Sequence, residues 1–119
     1  MRAWLARRPE NAEKNRRRAS QWKTANPERA RLNKRRRDLR ARYGMTLESW
    51  QELFQQQGSQ CAICRSPSPG KRTWHTDHCH ATGKVRGVLC QRCNTALGQV
   101  RDDVDILRRA ADYLEHHRR

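Results

Sequence analysis

The chain has 119 residues, a net charge of +15 at pH 7 and 34% hydrophobic residues. It can therefore bury little apolar surface and needs a cross-link, or staple, to stabilise its fold. The charge predicts a polyanionic partner, of which nucleic acid is the natural candidate. No segment has the apolar length of a membrane span, and the start lacks the hydrophobic centre of a secretion signal. These features exclude a membrane protein and predict an intracellular one.

Residues 1–43 are predicted to form a basic arm that contacts phosphates. They carry 16 Lys and Arg against four acidic residues, a net charge of +12, which leaves only +3 for the rest of the chain. Such cations bind the nucleic-acid backbone without reading sequence, so we expect DNA affinity to fall steeply with salt. The candidate phosphate contacts of the arm are Arg17, Arg18, Lys34, Arg35, Arg36 and Arg37.

An internal repeat at a spacing of 18 residues runs through the arm and pairs, for example, Pro9 with Pro27. Asn26 precedes the second proline, as expected of a capping residue before a proline at the first helical position. The sequence therefore predicts two short basic helices with a break near residues 23–26. The alternative is a charged tail that orders only on DNA, because almost nothing apolar anchors the segment.

The next predicted element is an amphipathic helix after Gly44, with Thr46 as its cap and its end before Gly58. Its apolar residues recur at helical spacing, which is typical of core residues rather than ligands. These residues are Leu47, Trp50, Leu53 and Phe54.

A β-hairpin should follow a turn-forming loop at residues 66–72. Its strands are predicted over 73–79 and 85–89, with the turn at 81–84. A short helix should begin near Asn94.

The last predicted element is a C-terminal amphipathic helix capped by Asp102 or Asp103. Its apolar residues also recur at helical spacing, so we expect them to be buried. They are Val104, Leu107, Ala110, Ala111 and Leu114.

Two Cys-x-x-Cys units flank the predicted hairpin. Thiols stay reduced inside a cell, so such pairs indicate metal ligands, although free cysteines or disulfides are the alternative. Two units complete a tetrahedral zinc site with no open position for water, which predicts a structural ion. The predicted ligands are Cys61, Cys64, Cys90 and Cys93. The fifth cysteine, Cys79, is expected on the far face of its strand.

Asp77, His78 and Asn94 form a candidate phosphodiester-hydrolysing site. Mg²⁺ takes oxygen ligands and keeps several waters, so one carboxylate and one amide oxygen are sufficient protein ligands. His78 suits a general base. In a regular strand Asp77 and His78 point to opposite faces, so both can serve one phosphate only if the strand is bent or bulged. The alternatives are a solvated Asp-His pair and an asparagine that caps the following helix.

The motifs that carry a family resemblance are Cys61-Ala-Ile-Cys64, His75-Thr-Asp77-His78-Cys79-His80, Gly83-Lys-Val-Arg-Gly-Val-Leu-Cys90 and Gln-Arg-Cys93-Asn94. Through them the chain resembles the recombination endonuclease VII group of the HNH, or ββα-metal, nucleases. The resemblance covers about residues 57–114. It implies a ββα-metal core. With the flanking helices and the basic helical N-terminal arm predicted above, the expected fold is a small α+β, zinc-stapled domain.

The resemblance also implies roles for the site residues. The four paired cysteines would hold structural zinc, Asp77 and Asn94 would hold a catalytic Mg²⁺ or Mn²⁺, and His78 would activate water. His75 and His80 would position phosphate or contact the metal. The implied activity is DNA cleavage that leaves 5′-phosphate and 3′-hydroxyl ends, in the cytoplasm of a bacterial or phage-infected cell.

One helical turn after Asn94 stand Leu97 and Gly98, so no second carboxylate is expected from that helix and a single-metal site is predicted. Arg86 and Arg92 are further candidate phosphate contacts, although surface arginines often only add to the electrostatic field.

The sequence as a whole predicts a metal-dependent DNA endonuclease, with the arm at residues 1–43 and a nuclease domain at residues 44–119. It predicts no membrane partner and leaves open whether the protein is a monomer or a homodimer. A non-catalytic zinc-stapled nucleic-acid-binding module is the alternative, and a zinc-ribbon RNA-binding protein is another. Neither alternative requires Asp77, His78 and Asn94.

Overall fold

The computed structural model describes residues 9–118, and the chain divides between Leu47 and Glu48 into two compact units. Residues 1–8 of the predicted arm lie outside the described residues. Five helices and one two-stranded antiparallel sheet make the described part of the chain a small α+β protein.

Two basic helices form most of the first unit: α1, Pro9–Ala25, and α2, Pro27–Tyr43. Each begins at a proline, because the missing N–H costs nothing at the first helical position. No residue of α1 is buried, and α2 buries only Leu39. The apolar content of these helices is therefore too low to build a core of their own.

The break between α1 and α2 lies at Asn26, at the end of the predicted interval. Asn26 occupies the N-cap position of α2, as predicted, but its side chain makes no capping hydrogen bond to α2. Instead Asn26 Nδ2 donates to the Trp22 carbonyl at 3.0 Å, as the Asn26 backbone N–H does at 2.8 Å. Its side chain thus closes the end of α1, because the last carbonyls of a helix also need donors.

The helix α3, Leu47–Gln56, confirms the predicted amphipathic element. Leu47 and Trp50 are buried, and Phe54 is half-buried. The Phe54 ring lies between two tryptophans, with ring centroids 5.3 Å from Trp50 and 4.9 Å from Trp74. The helix ends as expected before Gly58, whose φ of 79° suits the left-handed conformation that commonly ends helices.

The hairpin consists of β1, His75–His78, and β2, Val85–Leu89. The second strand has the predicted bounds, and the first is shorter than the predicted 73–79. The connecting turn is closed by Cys79, whose N–H donates to the Lys84 carbonyl at 2.8 Å and whose carbonyl accepts from Gly83 at 2.7 Å.

A glutamine side chain lines the outer edge of β2. Gln57 Nε2 donates to the Val88 carbonyl at 2.9 Å, and Val88 N–H donates to Gln57 Oε1 at 2.8 Å. Trp50 Nε1 donates to Thr76 Oγ1 at 3.0 Å on the other strand. The hairpin is thereby fastened to α3 and to the residues that follow it.

Two helices follow the hairpin: α4, Gln91–Gln99, and α5, Val104–His116. The first begins three residues before the predicted start near Asn94 and contacts both strands. Asp103 caps α5 as predicted, because its Oδ1 accepts from the backbone N–H groups of Asp105 at 2.9 Å and Ile106 at 3.1 Å.

The predicted burial of the apolar face of α5 is wrong. Val104 is 56% exposed and Leu114 68%, and the alanines of that face are exposed as well. The helix itself forms as predicted, but among the described residues no element of the same unit covers its apolar face. An apolar periodicity predicts a helix without saying what packs on it.

Candidate metal and catalytic site

The four paired cysteines form one cluster. Their sulfur atoms all lie within 4.8 Å of one another, and the Sγ atoms of Cys64 and Cys90 are 3.7 Å apart. A tetrahedral zinc site with Zn–S bonds of about 2.3 Å has an S–S edge of about 3.8 Å. The separation therefore fits one tetrahedrally bound ion, as the spacing of the cysteines indicated.

The cluster lies against the core of the second unit. Cys61 and Cys90 are buried with Leu89, and Trp74 and Leu97 pack on them. The first cysteine pair is also tied to the hairpin, because Ala62 N–H donates to the Val88 carbonyl at 3.1 Å. A bound ion here would join the residues after α3, the strand β2 and the start of α4.

Two thiols of the cluster, Cys61 and Cys93, have pKa values shifted in opposite directions. Burial acts to raise the pKa of Cys61, but hydrogen bonds from the backbone of Cys90, Cys64 and Ile63 outweigh it and lower that pKa to about 6. Burial, with the neighbouring thiols, raises the pKa of Cys93 to about 12. Four sulfurs this close cannot all ionise without a cation, which is the usual electrostatic condition of a thiolate metal site.

The hairpin carries a bulge at the candidate catalytic strand. Asp77 lies opposite Gly87 and His78 lies opposite Val85, so Arg86 is an extra residue on β2. The register shift falls between Asp77 and His78, where the sequence required an irregularity if both residues were to serve one phosphate. The bulge is on the partner strand rather than on β1 itself.

Arg86 binds the candidate metal ligand directly. Its Nε lies 2.7 Å from Asp77 Oδ2 and its Nη2 lies 3.0 Å from Asp77 Oδ1. The same Nη2 lies 3.4 Å from Asp102 Oδ2. Hydrogen bonding to Asp77 raises the pKa of Arg86 further above its usual range. The candidate phosphate contact Arg86 is thus shared between two carboxylates of its own chain.

Asp102 is the site residue that sequence reasoning missed, since it was considered only as a helix cap. Its carboxylate lies 3.4 Å from the Arg86 guanidinium and 3.9 Å from His80 Nε2. Its φ is 56°, as is that of Arg101. Consecutive left-handed residues that are not glycine leave no sequence signal, so only the structure could bring Asp102 to the hairpin.

The histidines predicted for the site lie along β1 and at the turn. The rings of His78 and His80 are neighbours, with centroids 4.9 Å apart. His75, opposite Leu89 in the sheet, has a buried Nε2 with no hydrogen-bond partner among residues 9–118. Buried polar atoms usually have partners, so this nitrogen is an exception in the strand.

Asn94 is half-buried in the first turn of α4, and its N–H donates to the Cys90 carbonyl at 3.0 Å. Asn94 thus directly follows the second cysteine pair at the start of α4. Cys79 begins the hairpin turn, where a hydrogen bond from the Thr82 side chain lowers its pKa.

The family model for recombination endonuclease VII matches residues 36–116, which is more than half of the chain. The chain belongs to the recombination endonuclease VII family. The match begins inside α2, so the family pattern includes the end of the basic arm as well as the second unit.

Two phage proteins are similar to this member of the recombination endonuclease VII family. The "Gene 59 protein" of Mycobacterium phage D29 is 43% identical over 75 residues, which are 62% of this chain and 46% of the phage protein. The "Gene 59 protein" of Mycobacterium phage L5 is 40% identical over the same shares. The match covers less than half the length of either relative. No solved structure matches the chain.

The predicted phosphate contacts are mostly exposed in this endonuclease VII family member. In the arm, Arg35 alone of the six is half-buried, and Arg17 forms an exposed ion pair with Glu13 at 3.2 Å. Arg92 lines a surface cavity of about 450 Å³ together with Lys71. No helix within residues 9–118 has both the length and the hydropathy needed to cross a membrane.

Proposed function

We propose that the chain is a metal-dependent DNA endonuclease of the HNH, or ββα-metal, class, which hydrolyses phosphodiester bonds to 5′-phosphate and 3′-hydroxyl ends. The observation that carries the proposal is the bulge opposite Asp77 and His78 in a member of an endonuclease family. A regular strand would point these adjacent side chains to opposite faces, so an irregularity at this point is what a site using both residues requires.

In this proposal the four clustered cysteines hold a structural zinc ion, and Asp77 and Asn94 hold a catalytic Mg²⁺ or Mn²⁺. The carboxylate and amide oxygens suit such a hard cation, which would neutralise charge on the phosphate and on the leaving oxygen. The zinc cluster supports the arrangement because it fixes both β2 and the first turn of α4, where Asn94 lies.

The protein's own groups supply the proton chemistry. His78 accepts the proton of the attacking water, a role that an imidazole near neutrality fills well. The His80 ring beside it, and His75 in the same strand, position the phosphate or contact the metal. The chemistry is a single in-line displacement in which water attacks phosphorus and the 3′ oxygen leaves.

DNA binding is proposed to divide between residues 1–43 and the nuclease domain at residues 44–119. The arm supplies phosphate contacts through exposed cations, and no feature of α1 or α2 indicates readout of bases. Arg92 adds a contact close to the second cysteine pair.

A supercoiled-plasmid nicking assay tests the proposal. We expect His78→Ala to lower the rate about 10²- to 10⁴-fold in Mg²⁺ or Mn²⁺, the usual contribution of a general base, at matched DNA binding. The control is His116→Ala, which removes an imidazole from the exposed end of α5 and should leave the rate unchanged. If neither the wild-type chain nor His78→Ala cuts plasmid or branched DNA and both bind it, a zinc-stapled binding module becomes the better account.

A further inference from the structure

Arg86 covers both oxygens that Asp77 would offer a divalent cation. Its Nε and Nη2 form a fork on the two carboxylate oxygens, at 2.7 and 3.0 Å. Bidentate, charge-assisted hydrogen bonds are the strong class, and arginine stays charged at any ordinary pH. A divalent cation therefore cannot take both oxygens on the side that the guanidinium occupies unless the guanidinium moves.

A second carboxylate is held against the same guanidinium by the backbone after α4. Asp102 Oδ2 lies 3.4 Å from Arg86 Nη2. The chain reaches this point through left-handed φ angles of 56° at both Arg101 and Asp102, which L-residues adopt only at a cost. The Asp102 N–H also donates to the Leu97 carbonyl at 2.9 Å, so the turn is closed in this form.

The exposed fractions of the three side chains indicate which of them can leave the ion-pair cluster. The Asp77 and Asp102 side chains are 12% and 27% exposed, whereas that of Arg86 is 40% exposed. Arg86 is also the extra residue of the bulge, outside the regular pairing of the two strands. Its long side chain can therefore turn toward solvent without disturbing the register of the hairpin.

We propose that Arg86 is an exchangeable internal cation of this site. It is the shared cationic partner of Asp77 and Asp102 in the free protein, and it moves to a DNA phosphate when a divalent cation takes the two carboxylates. Asp102 then acts as a second carboxylate ligand. The inference rests on the proposed function, because it uses Asp77 as a ligand of the catalytic cation.

Charge balance favours this exchange. Two carboxylates holding one guanidinium carry a net charge of about −1, whereas the same carboxylates holding a divalent cation are about neutral, which lowers the cost of their burial. The released guanidinium meets a phosphodiester of one negative charge, for which its fork is well suited. No step leaves a half-buried charge without a partner.

Mn²⁺ binding to the full, zinc-loaded chain without DNA tests the exchange, with free Mn²⁺ measured by electron paramagnetic resonance. The partly exposed ion pair between Arg86 and Asp77 competes with the cation for the carboxylate. Its removal in Arg86→Met should therefore tighten Mn²⁺ binding about threefold to tenfold. The control is Arg108→Met on α5, which removes the same charge from a side chain that is 76% exposed and should leave Mn²⁺ binding unchanged. Equal or weaker binding in Arg86→Met would overturn the exchange.

Three more variants separate this inference from the proposed function. Asp102→Asn should weaken Mn²⁺ binding, whereas Asp112→Asn, an exposed acid of α5, should not. Asp77→Asn should abolish binding. If Asp77→Asn changes nothing, the proposed catalytic cation site fails along with the exchange. If Asp77→Asn abolishes binding but Arg86→Met does not tighten it, only the exchange fails. Arg86→Lys keeps the charge without the fork and should lie between wild type and Arg86→Met.

Discussion

At the scale of single residues, the Gln57 side chain forms the backbone hydrogen bonds that a third strand would form at the edge of β2. Its amide accepts from Val88 N–H and donates to the Val88 carbonyl, so it pairs both backbone groups at the outer edge of β2. Its Nε2 also donates to the Gln60 carbonyl at 3.0 Å. Val88 is fully buried, so these backbone groups would otherwise lack water as a partner.

We expect Gln57→Ala to destabilise the protein by about 1–3 kcal/mol, because it leaves a buried N–H without its partner. The Val88 carbonyl keeps the N–H of Ala62 and should matter less. The midpoint of thermal unfolding, measured on zinc-loaded protein, gives the change. Gln55→Ala removes an exposed amide from the neighbouring helix and is the control. Equal midpoints for the two variants would mean that the paired amide contributes nothing to stability.

The residue types of the site could be predicted from the sequence, and some of their partners could not. The spacing of the cysteine pairs indicated one metal cluster, and their sulfurs do converge. By contrast, the ion pair of Arg86, a candidate phosphate contact, with Asp77 had no signal in the sequence. The direction of the Arg86 side chain depends on a one-residue bulge and on Asp102, which is 16 residues away in sequence. Neither the bulge nor the contact with Asp102 produces a periodic pattern in the sequence, so neither could be predicted from it.

At the scale of elements, the 18-residue repeat corresponds to two helices of 17 residues each, α1 and α2, joined at Asn26. Matched positions of the repeat therefore occupy equivalent places on two separate helices. The pair Arg17-Arg18 of α1 matches Arg35-Arg36 of α2. If the arm binds phosphates without reading bases, the two pairs should contribute alike.

Replacing either arginine pair with glutamine should lower the slope of log affinity against log salt for duplex DNA. The theoretical decrease is about 0.9 for each phosphate that is no longer neutralised, so a pair should account for at most about 1.8. Fluorescence anisotropy at several salt concentrations measures the slope. The double substitution Arg108→Gln and Arg109→Gln on α5 is the matched control. If that control lowers the slope as much as the arm pairs do, phosphate binding is not concentrated in the arm.

Elements with strong local signals were predicted well. The return strand at 85–89 and the helix ending before Gly58 follow from a turn sequence and from a glycine in the left-handed conformation. The burial of α5 was predicted wrongly, because an amphipathic pattern defines a face and leaves its partner unspecified. The same residues that the sequence assigns to the core lie on the surface in the structure.

At the scale of the whole molecule, most of the net positive charge and the candidate site lie in different parts of the chain. Residues 1–43 hold +12 of the +15 net charge, and the cysteine cluster, the bulged hairpin and Asp102 all lie in the second compact unit. The family match spans this second unit up to residue 116 and reaches back into α2. Composition alone predicted the polyanionic partner, and the cysteine spacing predicted the staple that so small a core requires.

The most direct test of the central claim is the rate of supercoiled-plasmid nicking by the wild-type chain and by Asp77→Asn at equal zinc content, in Mg²⁺ or Mn²⁺ and in EDTA. Asp112→Asn is the matched control. The account predicts nicking by wild type and by the control only with the divalent cation, and a rate at least about 100-fold lower for Asp77→Asn, as for loss of a group that stabilises transition-state charge. Nicking that persists in EDTA or survives Asp77→Asn would contradict it.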